Sequence, residues 1–191
     1  GSKVLLAEMK DRILPREDVE VSEVMDKHLR DRYQVKILTN ARVVALDQDE
    51  RSKQVIFVRD GQEKLVRVEE VILATTPEPA MDLELEKAGV KYTRAGIKVD
   101  KNLQTSNKDI WAAGDVIGGE SSTERAIYEG KLATMNALKK SGSILDYTGF
   151  TRVTNTMPQV AKVGLNETEC WQLKQRYKTT VVPIETIHAS I

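Results

Sequence analysis

The chain has a single cysteine, Cys170, and therefore no disulfide framework and no CxxC pair. A reducing, cytoplasmic setting is the expectation that follows. The two histidines, His28 and His188, are far apart in sequence, and no Cys/His cluster of zinc-ligand spacing surrounds either. No two of the 11 glycines form a GxG, so the loops that cradle a dinucleotide pyrophosphate are missing from these residues. No apolar run reaches the ~18 residues of a membrane span. The opening "GSKVLLAEMKDR" turns polar too soon for a signal peptide. Neither charge is in excess: 29 basic residues balance 29 acidic ones. That balance leaves no electrostatic footprint for nucleic acid or an anionic membrane. Internal repeats and low-complexity tracts are absent as well.

What is present is a 191-residue chain, 40% hydrophobic and 30% charged, with enough apolar residues for a core. "KVLLAE" (3–8) reads as a short buried strand. "EDVEVSEVMDKHLRDRY" (17–33) reads as a helix, with Val21, Val24, Met25, His28 and Leu29 on one face and acids in its first turn. His28 on that apolar edge is expected to be a packed residue. Strand-like runs follow at 35–38, 41–48, 53–60 and 63–70, the last three forming a β-meander with a hairpin signal at Asp60-Gly61. "EVILATT" (70–76) is a further strand-like run, and its "VILA" is apolar on both faces, as a central parallel strand would be. "GIKVD" and "IWAA" predict two more strands. "TERAIYEGKLATMNALKK" (123–140) predicts a second helix with a cap near Thr123. Its stripe of Ala126, Gly130, Ala133 and Ala137 would let it lie close to a neighbour. Beyond a turn-rich "SGSILDYTGFT", "RVTNTMPQVAKVGL" reads as strand, turn, strand. "NETECWQLKQRY" reads as a helix capped by Asn166 and Glu169, and "KTTVVPIETI" starts a further strand.

Five of these stretches line up in order with one family. "KVLLAEMKDRILPREDVEVSEVM", "VILATTPEP", "AGIKVDKNLQTSNKDIWAAGDV", "YEGKLATMNAL" and "FTRVTNTMPQVAKVGLNETE" together resemble the two-dinucleotide flavoprotein disulfide reductases, the dihydrolipoamide dehydrogenase and mercuric reductase group. The resemblance implies an α/β fold: a partial two-dinucleotide, Rossmann-like architecture with a β-meander, followed by the start of an α+β interface domain. It implies the second half of an NAD-binding domain over 1–74, the C-terminal part of an FAD-binding domain over 75–142, and the start of a dimerisation domain over 143–191. The family's redox CxxxxC and its C-terminal His-Pro-Thr have no counterpart here, so no catalytic residue is expected among these residues. On this reading the chain is either a fragment or a shortened relative.

The resemblance also assigns residues. Asp115, at the tip of "IWAAGD", would accept a hydrogen bond from a ribityl hydroxyl of FAD, with Gly114 allowing a close approach. Without the resemblance, "AGD" alone favours the plainer reading, a turn aspartate capping backbone N–H groups. Ser122 and Thr123 fall where the family's backbone faces the flavin ring, although Glu124 replaces the usual histidine or tyrosine; simple helix capping is the alternative. Glu8 would bind the adenosine ribose hydroxyls, which implies NADH over NADPH, and Val43 would pack on adenine; an exposed glutamate and a core valine are the plain alternatives. Ala74 and Thr75 lie on the crossover between the two cofactor domains. There the family's glycine is replaced by Thr76, and its arginine and asparagine are missing near Pro77 and Ala80.

Two readings of the activity stay open. In one, the parent protein carries electrons from NADH through FAD to a small-molecule or protein disulfide, or to a metal ion, and is a homodimer or higher oligomer. In the other, the chain is a non-catalytic relative that folds by oligomerising, as a binding or structural module.

Overall fold

The computed structural model of the protein describes residues 1–49, 52–75, 77–139 and 142–186. Thr76, Lys140 and His188, singled out above, lie outside the described residues. In chain order the elements are β1 (Leu5–Ala7), α1 (Val19–Tyr33), β2 (Lys36–Leu38), β3 (Arg42–Gln48), β4 (Lys53–Arg59), β5 (Gln62–Val68), β6 (Tyr92–Thr93), β7 (Gly96–Ile97), α2 (Thr123–Lys139), β8 (Thr151–Thr154), β9 (Val160–Val163) and α3 (Glu167–Gln172). Short 3-10 turns cover Gly114–Ile117 and Ile184–Thr186. Two compact units result: Gly1–Glu69 together with the chain from Gly164 onward, and Glu70–Val163.

In the first unit β1 and β2 pair in parallel, Leu6 opposite Ile37. Helix α1 connects them and packs on β2. Met25 and Ser22 form its buried face, and Ile13, Ile37, Ala41 and Phe57 are buried with them. Val24 stays exposed, so the apolar stripe is narrower than the sequence period suggests; Ser22 is buried and donates from its Oγ to the Leu14 carbonyl. His28 is part-buried, with its ring edge-on to Tyr33 at 5.6 Å. The meander β3-β4-β5 is antiparallel throughout. Asp60 and Gly61 turn its hairpin at φ of 54° and 72°, the backbone that a right-twisted two-residue connection needs.

The capping box at Asn166 is complete. Its side chain accepts from the Glu169 N–H at 2.8 Å, and the Glu169 carboxylate accepts from the Asn166 N–H at 2.9 Å. The same cap joins distant stretches of the unit. Asn166 Nδ2 donates to the Arg16 carbonyl, and Asp18 Oδ1 accepts from the Glu167 N–H. Asp18 therefore caps α3 rather than its own helix, where its side chain makes no cap.

The second unit holds two joined apolar clusters. Leu85, Val90, Ile97 and Ala112 form one, and Leu103, Leu132 and Ala133 the other; Val99 and Ile117 pack against both. Helix α2 buries Glu129, Leu132, Ala133 and Asn136, a face offset from the small-residue stripe. Space around Gly130 is open, so that glycine serves no close approach. The helix is capped by Ser122, whose Oγ accepts from the Arg125 N–H, one residue ahead of the expected position.

Three expected strands are not formed. Residues 71–74 are outside any strand, and Ile72 and Leu73 are 90% and 71% exposed. A strand apolar on both faces needs sheet neighbours, and no described strand pairs with this one. "IWAA" makes only a bridge between Trp111 and Gln104. Its backbone is used instead by the preceding turn, where Thr105 N–H donates to the Ile110 carbonyl and Ala112 N–H to that of Leu103. "KTTVVPIETI" carries the 3-10 turn at Ile184–Thr186, with Val181 and Val182 exposed.

Candidate functional site

Asp115 is the second residue of the Gly114–Ile117 turn, which follows the extended Ala113. Its carboxylate is exposed, and its Oδ2 accepts from Ser121 Oγ at 2.8 Å. Together with Pro77, Pro79, Ala95, Gly118, Gly119 and Ser121 it lines a cavity of about 170 Å³. The walls are rigid or side-chain-free: two prolines, two glycines and an alanine. The polar groups are one carboxylate and one hydroxyl. An ionised acceptor beside bare backbone is suited to a hydroxyl-bearing ligand.

Three interlocked contacts set this geometry. Gly118 has φ of 73°, and a Cβ there would lie 1.8 Å from the Ala95 carbonyl oxygen. Gly114 has φ of 76°, and its missing Cβ would lie 3.3 Å from the Ala126 Cβ. The Gly114 N–H donates to Glu129 Oε2 at 2.6 Å. Gly114 is thus required by α2 within the chain itself, whatever approaches from outside. Glu129 is fully buried on α2 and also accepts, at Oε1, from Arg125 Nε and from the Tyr147 hydroxyl. Arg125 Nη1 reaches the Glu120 carbonyl at 2.6 Å. Burial disfavours the Arg125 charge, but its bonds to Tyr147 and Glu129 outweigh this and raise its pKa above the ordinary value. Burial, followed by the bond to Glu129, holds the Tyr147 hydroxyl above the usual tyrosine range; the pull of Arg125 in the other direction is smaller.

Glu129 and Arg125 escaped the sequence reading. A charged pair on a predicted helix reads as a solvated face. The signal available was placement: Glu129 lies three residues after Ala126 and four before Ala133, on the face that packs, with a cation one turn earlier.

The other predicted site residues fall as follows. Ser122 is part-buried and Thr123 exposed at the first turn of α2. Ala74 and Thr75 are exposed in the same unit as Asp115. Glu8 and Val43 belong to the first unit. Glu8 follows the end of β1, its N–H donating to Leu38 and its carbonyl accepting from Ala41, two residues before Val43. Its carboxylate folds back onto the Lys10 N–H at 2.7 Å. Val43 is exposed on β3 at a bulge in the β3–β4 register. Among the described residues no cluster of three or more His, Cys, Asp or Glu could hold a metal ion. No described helix is long and apolar enough to cross a membrane.

Residues 1–130 match the pyridine nucleotide-disulphide oxidoreductase family. A mercuric reductase of Staphylococcus aureus is 32% identical over 189 residues, 98% of this chain and 34% of that protein. A dihydrolipoyl dehydrogenase of Bacillus subtilis is 32% identical over 171 residues, 88% of this chain and 36% of that protein. The chain thus spans about a third of the length of these curated relatives. Among solved structures, the HOCl-induced flavoprotein disulfide reductase RclA of Escherichia coli superposes with a TM-score of 0.81 at 27% identity, over 98% of this chain and 43% of that one. LpdA of Mycobacterium tuberculosis shares the fold, with a TM-score of 0.84 at 24% identity over 97% of this chain and 40% of that one.

Proposed function

The chain belongs to the pyridine nucleotide-disulphide oxidoreductase family, and on that premise we propose that it is part of an FAD-dependent oxidoreductase passing electrons from NADH to a disulfide or similar acceptor. The observation that carries this reading is the exposed Asp115 carboxylate on the wall of the Pro77–Gly119 cavity. At about 170 Å³ the cavity is below the ~300 Å³ of ordinary ligand pockets. It fits the polyol segment of FAD rather than the whole dinucleotide. Asp115 would accept from a ribityl hydroxyl in place of Ser121, and the glycine backbone would admit the chain of hydroxyl-bearing carbons. Ser122 and Thr123 would bring the N-terminal end of α2 toward the flavin, where its dipole favours negative charge. When bound, FAD supplies the two-electron chemistry; these residues bind and orient it.

Glu8 would hold the adenosine ribose of NADH, and Val43 would pack on adenine. To do so the Glu8 carboxylate must exchange the Lys10 N–H for ribose hydroxyls. Ala74 and Thr75 would form the crossover between cofactor regions, dividing the chain into an NAD part (1–74), an FAD part (75–142) and the start of an interface region (143–191). A homodimer or higher oligomer is the assembly the family resemblance favours, and the lone cysteine favours a reducing, cytoplasmic setting. The exposed Ile72 and Leu73 favour a second reading, a non-catalytic relative that buries these residues by oligomerising.

Titration of the purified chain with FAD separates the two readings. Saturable binding with a shifted flavin absorbance band supports cofactor binding. A colourless chain that quenches no flavin fluorescence and sediments as a defined oligomer favours the second.

A further inference from the structure

Glu129 is a fully buried carboxylate with three donors converging on it, and nothing in the proposed cofactor chemistry uses it directly. The donors come from separate places: the Gly114 N–H from the turn before Asp115, Arg125 from the preceding turn of the same helix, and Tyr147 from the segment after α2. Tyr147 is fixed in turn by Phe150 and Tyr128, with ring centroids 5.8 and 6.1 Å away. A lone carboxylate in such surroundings is costly, and partners on both oxygens offset that cost. The bond to Gly114 is the one with a consequence outside the cluster. It is short, it involves a charged acceptor, and it holds the residue adjacent to Asp115. Gly114 makes it from a positive φ of 76°, where a Cβ would press on the Ala126 Cβ at 3.3 Å.

We propose that Glu129 is the positioning residue of the Asp115 carboxylate: it grips the Gly114–Ile117 turn through the Gly114 N–H and so fixes where Asp115 stands on the cavity wall. As a hold on the turn, the proposal stands on the contacts alone. As a role toward FAD, it rests on the functional reading above. Leu at position 129 has a similar volume but no acceptor, so the Gly114 N–H loses its side-chain partner and the turn is released.

The test compares the whole chain with its E129L variant, both 15N-labelled. In the parent the Gly114 amide proton is expected far downfield and protected from exchange. In E129L it moves upfield and exchanges at least about tenfold faster, while amides of β3–β5 keep their rates. FAD affinity, read by flavin fluorescence, falls about tenfold in the same variant. A Gly114 amide unchanged in E129L overturns the proposal. So does a shifted Gly114 with undiminished FAD affinity. A parent chain that binds no FAD sinks the functional reading instead, and the Gly114 resonance then decides the hold on the turn. Should E129L not fold, E129D keeps the charge and the Arg125 pair but withdraws the carboxylate by one methylene. Faster Gly114 exchange there supports the proposal, and parental exchange overturns it.

Discussion

The Cα of Gly118 faces the Ala95 carbonyl oxygen so closely that a Cβ would lie 1.8 Å from it. The loop after Asp115 is thus seated on the turn between β6 and β7 with no room for a side chain, and Gly118 carries a positive φ as well. G118A is expected to cost roughly 2–4 kcal/mol, combining left-handed strain with overpacking. G130A makes the contrast: its Cβ meets nothing within 4 Å, and in mid-helix it should gain about 0.5–1 kcal/mol. Urea unfolding of the two variants, followed by circular dichroism, checks both signs.

Asn166 both closes a capping box and ties α3 to the Arg16 carbonyl. N166A should therefore lose more than an isolated cap, about 1–2 kcal/mol. Amides of Glu169 and Cys170 should exchange faster, with the rates of α2 unchanged. Loss confined to the helix end, at under about 0.5 kcal/mol, would mean that the tie to Arg16 contributes nothing.

Helices α1 and α2, the meander and the β8–β9 pair were legible because each carries its own period and turn chemistry. The 17–33 and 123–140 patterns repeat with helical spacing, and Asp60-Gly61 fixes its hairpin locally. The run at 71–74 was legible as apolar but not as unpaired, since strand identity depends on neighbours that periodicity within the run does not reveal. Asp115 stood out through its position after "IWAAG". Its support did not: the cluster of Glu129, Arg125 and Tyr147 brings together residues 18 positions apart in sequence, a relation made by tertiary packing alone. Gly118 was passed over for the same reason, since its partner Ala95 is distant in sequence.

The Tyr147 hydroxyl, part-buried and bonded to Glu129, is held above its ordinary pKa, which is about 10. In the unfolded chain it titrates at that ordinary value. Its contribution to stability is therefore complete below about pH 10 and is lost as pH rises through the folded-state value, because the unfolded chain then binds fewer protons. Y147F should flatten the fall in urea midpoint as pH rises above about 10. Part of the fall should remain, since Tyr92 is also raised, chiefly by its bond to Glu86. A slope identical in Y147F and parent would show that this proton is not coupled to folding.

Asp115 separates binding from folding, and its substitutions should show the split. The carboxylate is exposed and, among the described residues, its hydrogen bond is to Ser121, so D115A should change stability by no more than about 0.5 kcal/mol. If a ribityl hydroxyl is its partner, the same change removes a hydrogen bond to a charged acceptor, and FAD affinity should fall by about tenfold or more. S121A should weaken FAD far less, because the ligand hydroxyl replaces Ser121 at the carboxylate rather than adding to it. Flavin fluorescence titration beside thermal unfolding reads both quantities on one sample. Equal losses of affinity and stability in D115A would make Asp115 a turn residue. Lost affinity with stability intact is the pattern of a ligand acceptor.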